Sequence, residues 1–213
     1  MVYLIKEIFR SLQGEGVNAG RPAVFLRFSG CNLWSGRAED RPNVPCPFCD
    51  TDFVGTDGPG GGAYDTAAEV VSAMAALLPS PIPRGVRPLA VVTGGEPALQ
   101  FDSHLVDELH RGGWEIAVET NGTLPLPEGI DWITVSPKAG TRLLVASGDE
   151  LKLLYPQPGL DPASLQDLPF RHFILQPIDN SLLEQNTRLA IDYCLTHPRW
   201  RLGLQMHKIL NIK

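Results

Sequence analysis

The sequence predicts an α/β chain folded as a small, incomplete barrel of about six core strands, in one domain spanning residues 1–213. Three observations predict it. Apolar segments of strand length alternate with amphipathic segments of helix length, joined by short loops. Glycine and polar residues recur at the C-terminal ends of the apolar segments, where an α/β sheet or barrel carries its site. The helical segments are too few for eight β/α units, and no linker or internal repeat divides the chain.

Each element has its own signal. Val24, Leu26 and Phe28 alternate with Phe25, Arg27 and Ser29, a strand that ends at Gly30-Cys31. A non-periodic stretch, 32–62, follows and is rich in proline and glycine. A structureless span of that length is unusual in a compact domain, so something must tie it down. Thr66 and Glu69 form a capping-box pattern at the head of a helix whose apolar positions include Val70, Val71 and Met74. Strands are expected at Leu89–Val92, Trp114–Val118, Asp131–Val135, Glu150–Tyr155 and His172–Gln176, with a short last one at Arg201–Gln205. Helices are expected over Phe101–Arg111 and Ser181–Thr196, the latter with Leu182, Leu189, Ile191 and Cys194 among its apolar positions.

Bulk composition excludes several classes. The net charge of −6 gives no global pull toward nucleic acid. No apolar run approaches the roughly 18 residues of a spanning helix, and the N-terminus lacks the pattern of a secretory leader. Four cysteines are too few and too clustered for a disulfide scaffold. A cytoplasmic protein is expected, with neither membrane nor nucleic acid as partner.

The chemistry is concentrated in three cysteines. Cys31 stands at a strand end; after 14 residues comes Cys46, and after two more Cys49. The Cys46-Pro47-Phe48-Cys49 turn can aim two thiolates at one metal, with Cys31 as a third ligand. Thiolates suit zinc or iron–sulfur chemistry. A closed zinc site wants a fourth ligand, and no histidine lies between residues 1 and 103. Three ligands on a four-iron cluster would leave one iron open to a small molecule. A zinc turn and a Cys-x-x-Cys redox pair remain open on spacing alone. Cys194, on an apolar helix face, reads as a small buried hydrophobe.

The cysteine cluster together with Thr93-Gly94-Gly95-Glu96-Pro97 at a strand end resembles the radical S-adenosylmethionine (SAM) superfamily. That superfamily's usual motif is Cys-x3-Cys-x-aromatic-Cys; Phe48 before Cys49 keeps the second half, and the 14-residue gap departs from the first. A closer resemblance is to the 7-carboxy-7-deazaguanine synthase family. It is carried by Phe9 to Gly16, Phe25 to Trp34, Cys49-Asp50-Thr51-Asp52, Glu119-Thr120-Asn121-Gly122, Ser136-Pro137-Lys138, Gln176-Pro177 and Gln205-Met206-His207-Lys208. The long gap resembles a subtype of that family, and the likeness runs over nearly the whole chain.

The resemblance implies a modified, incomplete (β/α) barrel of the radical SAM type and a homodimer. It implies a [4Fe–4S] cluster on Cys31, Cys46 and Cys49 within the loop 31–62, together with SAM and a magnesium ion. It implies 6-carboxy-5,6,7,8-tetrahydropterin as substrate and 7-carboxy-7-deazaguanine as product. In the family, SAM is reductively cleaved, a hydrogen atom is taken from substrate C6, the ring contracts and ammonia is lost. A flavodoxin or ferredoxin would supply the electron.

Residue roles follow from the same match. Phe48, Gly94, Gly95, Glu96, Ser136, Lys138 and Gln176 are expected at SAM, with Glu96 accepting from its ammonium group. Gln13, Glu15, Arg27 and His207 are expected at the substrate: Glu15 for ring N–H donors, Arg27 for the carboxylate. Thr51 is the expected magnesium ligand, with Asp50 and Asp52 able to tune or replace it. Lys208 is expected to balance an anionic group. No side chain is assigned as a general acid or base. Two rival functions share part of this pattern: a glycyl-radical activase acting on a partner protein, and a zinc-stabilised binding protein without catalysis.

Overall fold

The computed structural model describes residues 2–213. The strands are β1 (Tyr3–Leu12), β2 (Pro22–Phe28), β3 (Gly62–Tyr64), β4 (Leu89–Gly94), β5 (Glu115–Thr120), β6 (Trp132–Val135), β7 (Gly148–Tyr155), β8 (Phe170–Pro177) and β9 (Trp200–Leu202). They form one sheet in the order β3-β1-β2-β4-β5-β6-β7-β8-β9. From β2 to β9 every neighbouring pair is parallel, while β1 and β3 add an antiparallel edge. The helices are α1 (Ala67–Ala75), α2 (Ser103–Arg111), α3 (Leu183–Thr196) and α4 (Met206–Leu210). Among the described residues no helix is long and apolar enough to cross a membrane.

The six expected core strands all form, and β9 is a short seventh in the parallel run. Their outward residues meet the helices. Val24, Leu26, Ala90, Val92, Ile116 and Val118 pack with Val70 and Met74 of α1 and Leu105, Val106 and Leu109 of α2. Leu151, Leu153, Phe173 and Leu175 pack with Ala190 of α3 and Trp200 of β9. The joins β5–β6, β6–β7 and β7–β8 carry no α-helix, which leaves the barrel incomplete.

Local sequence explains most boundaries. Thr66 accepts a hydrogen bond from the Glu69 N–H while the Glu69 carboxylate accepts from the Thr66 N–H, so α1 starts on a full capping box. Asp102 caps α2 through the Leu105 N–H. β1 is a strand without a prior expectation: it has no clean alternation because its register with β2 shifts between Ile5 and Glu7, and such a bulge swaps the buried face midway. Three expectations are corrected. In α3, Leu182, Leu189 and Ile191 are solvent-exposed, whereas Asn186 and Ala190 face inward. Asn186 is accommodated there by donating to the Ile178 carbonyl at 2.8 Å. Cys194 is half-buried against the β7–β8 core. The last strand ends at Leu202, and Gln205 instead precedes α4.

The long stretch 32–62 holds only one short helical turn, Arg41–Asn43, before β3. The protein itself ties it down. Trp34 packs edge-on against Phe53 with ring centres 5.5 Å apart. Arg41 lies 4.2 Å over the Trp34 ring and donates to the carbonyls of Pro47 and Cys49. Lys6 of β1 reaches the Val54 carbonyl, Asp52 and Asp57. Thr66→Ala removes half of the capping box and is expected to lower stability by about 1 kcal/mol. The urea midpoint should fall with an unchanged slope.

Candidate active site

Side chains alternate along a strand, so every second residue of the parallel run points to the concave face. Toward the N-terminal ends that face is apolar: Ala23, Leu89, Val91 and Ala117 pack with Phe25 and Trp132. Toward the C-terminal ends the same alternation presents Arg27, Thr93, Glu119, Thr134 and Lys152. In the ladder Arg27 lies opposite Thr93, and Glu119 opposite Thr134. These five residues form one wall of a cleft of about 350 Å³, roofed by the cysteine loop and the C-terminal segment.

Cys31, Cys46 and Cys49 all face this cleft, and all are free thiols. The Cys49 N–H donates to the Cys46 carbonyl at 3.1 Å and closes the turn between them. Burial pushes the Cys46 thiol up to about 11 against the pull of Lys138, and it raises the Cys31 thiol as well. A bound cation would favour the thiolate form of such thiols. Among the described residues no three Cys, His, Asp or Glu side chains meet where a single ion would be held. Three thiol donors lining one cleft are of the soft type that suits iron–sulfur or zinc binding.

The Gly-Gly-Glu segment sits where β4 ends beside β2. A Cβ on Gly94 would lie 2.5 Å from the Phe28 carbonyl oxygen. One on Gly95 would collide with the Gly30 carbonyl and come within 2.6 Å of Cys31 Cβ. The close approach that demands glycine is therefore to the strand end carrying Cys31. Glu96 differs from expectation. It is fully buried, and its carboxylate accepts from the Ala98 N–H at 3.0 Å, the Thr120 hydroxyl at 2.7 Å and the Asn121 N–H at 2.7 Å. It fastens β4 to the end of β5 behind the cleft wall.

The substrate set comes together on the wall. Arg27 donates through Nε to Glu7 at 2.9 Å, so the half-buried cation has its anion. Among the described residues its two Nη groups make no protein hydrogen bond, and the side chain faces the cleft. Gln13 bridges, donating to Glu119 at 2.9 Å and accepting from the Glu15 N–H at 3.1 Å. Glu15 binds Lys152 at 2.5 Å and Gln205 at 2.9 Å. Burial alone would raise the Glu15 carboxyl, but Lys152, Gln205 and His207 together hold it down at about 2. Burial disfavours the Lys152 charge, yet Glu119, Glu15 and Glu150 push its pKa well above the ordinary lysine range.

The remaining expected residues divide by position. Phe48, Thr51, Ser136, Lys138 and His207 line the cleft. Lys138 donates to the Ser136 carbonyl and hydroxyl at 2.6 and 2.8 Å. His207 lies so close over Gly14 that any side chain there would strike its ring. Both carboxylates flanking Thr51 are engaged by lysines, Asp50 by Lys208 at 2.5 Å and Asp52 by Lys6 at 2.8 Å. Lys208 also binds Asp179 at 2.7 Å. Gln176 is buried and off the cleft wall, with its Oε1 unpartnered. Glu7, Glu119 and Lys152 line the cleft without having been singled out. Phasing the alternation of β5 and β7 against their apolar outward residues would have found the last two.

A partial (β/α) barrel with three cysteines and a Gly-Gly-Glu-Pro turn at the C-terminal strand ends defines a radical SAM enzyme. No family model matches the chain. Among curated proteins, it is 59% identical to 7-carboxy-7-deazaguanine synthase of Nitratidesulfovibrio vulgaris and 55% identical to that of Burkholderia multivorans, in each case over all of both chains. The protein of the same name from Bacteroides thetaiotaomicron is 41% identical over all of both chains. The crystal structure of QueE from Escherichia coli superposes with a TM-score of 0.67 at 28% identity, over 97% of this chain and 95% of that one. The chain belongs to the 7-carboxy-7-deazaguanine synthase family.

Two outcomes follow from this geometry. Gly95→Ala forces the β4 end away from Gly30 and Cys31, and is expected to destabilise by about 1–3 kcal/mol. Alkylation of Cys31 in metal-free protein, followed by mass spectrometry, should be faster than in wild type. The Glu15–Lys152 pair should stabilise equally between pH 4.5 and 10.5, because both groups keep their charges there in folded and unfolded chains. Since the Glu15 pKa is depressed, its contribution fades as pH falls from 4.5 toward about 2. Since that of Lys152 is raised, its contribution fades only above 10.5. The unfolding free-energy difference between wild type and Glu15→Gln, measured against pH, should trace that plateau.

Proposed function

We propose that this enzyme converts 6-carboxy-5,6,7,8-tetrahydropterin to 7-carboxy-7-deazaguanine with loss of ammonia, as a carbon–nitrogen lyase of queuosine biosynthesis. The observation that carries the reading is the shared cleft. Three free cysteines stand on one side of it, and a free guanidinium edge with a set of largely buried carboxylates stands on the other. A carboxylated pterin presents the complement of that second side: an anionic carboxylate and several ring N–H donors.

In this reading Cys31, Cys46 and Cys49 hold a [4Fe–4S] cluster, which supplies the electron for reductive cleavage of SAM when both are bound. Gly94 and Gly95 lie against the methionine end of SAM, with Ser136 and Lys138 as further contacts and Phe48 near the adenosine. Gln176 is assigned beside the adenosine as well, an assignment that requires its buried, unpartnered Oε1 to become accessible when SAM binds. Thr51 holds magnesium. Arg27 takes the substrate carboxylate on its free Nη face, while Gln13, Glu15 and His207 orient the ring. Residues 1–213 act as one domain, as a homodimer served by a small electron carrier. Four free cysteines suit a reducing compartment, and we place the enzyme in the cytoplasm.

The test is anaerobic reconstitution with iron and sulfide, then addition of reductant, SAM and 6-carboxytetrahydropterin. The expected products are 5′-deoxyadenosine together with the deazaguanine. Deoxyadenosine without the deazaguanine would remove the substrate, and a cluster that never cleaves SAM would remove the reaction. Arg27→Ala should lower kcat/KM for the pterin by roughly 100-fold, the scale of a lost charge-assisted pair. Its iron content should stay at the wild-type level, and a parallel loss of iron would assign Arg27 to folding.

A further inference from the structure

We propose that Lys152 is a positioning residue for the pterin: it sets Glu15 and Glu119 side by side as a paired acceptor for the substrate's ring N–H donors. This deepens the functional reading above and rests on it. Lys152 itself is almost inaccessible, 5% exposed, so it contacts substrate through its partners. Its ammonium lies 2.5 Å from Glu15 and 3.3 Å from Glu119, and both of these residues line the cleft. Glu15 comes from the turn after β1 and Glu119 from the end of β5, elements that do not pair with one another. Lys152, from β7, and Gln13 are the groups that join them.

The charge arrangement explains why a lysine is needed. Glu150, two residues earlier on the same face of β7, is buried as well and accepts the Val17 N–H at 2.7 Å. It also lies against Gly16, and so holds the turn that bears Glu15. The groups facing this cluster are Glu15, Glu119 and Glu150, with Lys138 near enough to act on Lys152 and His207 of α4 beside Glu15. Three carboxylates around one buried ammonium leave a surplus of acceptors. A 2-amino-4-oxopyrimidine ring, which presents adjacent N–H donors, fits that surplus. Without Lys152 the carboxylates would repel one another, and one would take up a proton and turn from acceptor to donor.

The experiment compares wild type, Lys152→Met and Lys152→Arg, all reconstituted alike. Measured are iron content, the thermal melt, KM and kcat for the pterin, and the pH profile of kcat/KM. For Lys152→Met the expected result is a KM raised about tenfold or more with iron unchanged. Its acid limb should move up by about one pH unit. Lys152→Arg keeps the charge but not the short contact, so its pH profile should stay in place with KM raised about threefold. If Lys152→Met does not accumulate, the arginine variant decides, and a wild-type KM there overturns the proposal. Joint loss of iron, melt and kcat in both variants would overturn it in favour of a folding role. Wild type that turns over the pterin beside a Met variant with unchanged KM removes this inference alone. Wild type that never turns over the pterin removes the functional reading first.

Discussion

The approach of β4 to the end of β2 governs the geometry of this site. Gly94 and Gly95 carry no Cβ, so their backbone can lie against Phe28, Gly30 and Cys31, and the Glu96 N–H can donate to the Gly30 carbonyl at 3.0 Å. The next side chain, Glu96, turns away from the cleft and collects three donors, two of them at the end of β5. A buried carboxylate with fewer donors would be costly; with three it is a fastening across strands. One tetrapeptide therefore places Cys31, closes the wall behind the cleft and positions Thr120 and Asn121. The two glycines serve the protein's own packing as much as any ligand.

Around that fixed point the cleft is divided electrostatically. Arg27, Lys138, Lys152 and Lys208 all reach it, yet each is matched to protein oxygens. What remains unmatched is specific: the Nη face of Arg27, and the spare lone pairs of Glu15 and Glu119. Their low-dielectric surroundings make those few groups strong recognition elements, because water competes for them poorly. The same contacts restrain the side chains of the wall. Glu15 is bound by Lys152 and Gln205, and Gln13 by Glu119 and the Glu15 N–H, so few rotamers are open to either.

The cysteine loop shows how a segment with almost no regular structure is held in place. Trp34 and Phe53 give it a small apolar centre of its own, and Arg41 bridges its two halves by lying on Trp34 and binding the Pro47 and Cys49 carbonyls. Lys6 anchors its far end to β1, and α4 reaches back to it through Lys208 and Asp50. Thr51 sits between two carboxylates already committed to lysines, which separates its hydroxyl from the obvious acidic competitors.

Much of this was written in local sequence. The core strands, the capping box at Thr66 and the polar strand ends are legible because they depend on alternation, on spacing within one turn, or on neighbours in the chain. Cys31, Cys46, Cys49, Gly94 and Gly95 are legible for the same reason, through motifs that need a particular residue type at a particular offset. β1 was hidden by its register shift at Ile5–Glu7, and the inward face of α3 by an asparagine that finds a carbonyl only in the folded chain. Tertiary structure alone decided that Glu96 points behind the wall, that Arg27 is paired with Glu7, and that Glu15, Glu119 and Lys152 meet. Lys152 lies 137 residues from Glu15 and 33 from Glu119. The strand order that joins them is a property of the whole sheet, and no local pattern encodes which distant carboxylate a buried ammonium will find.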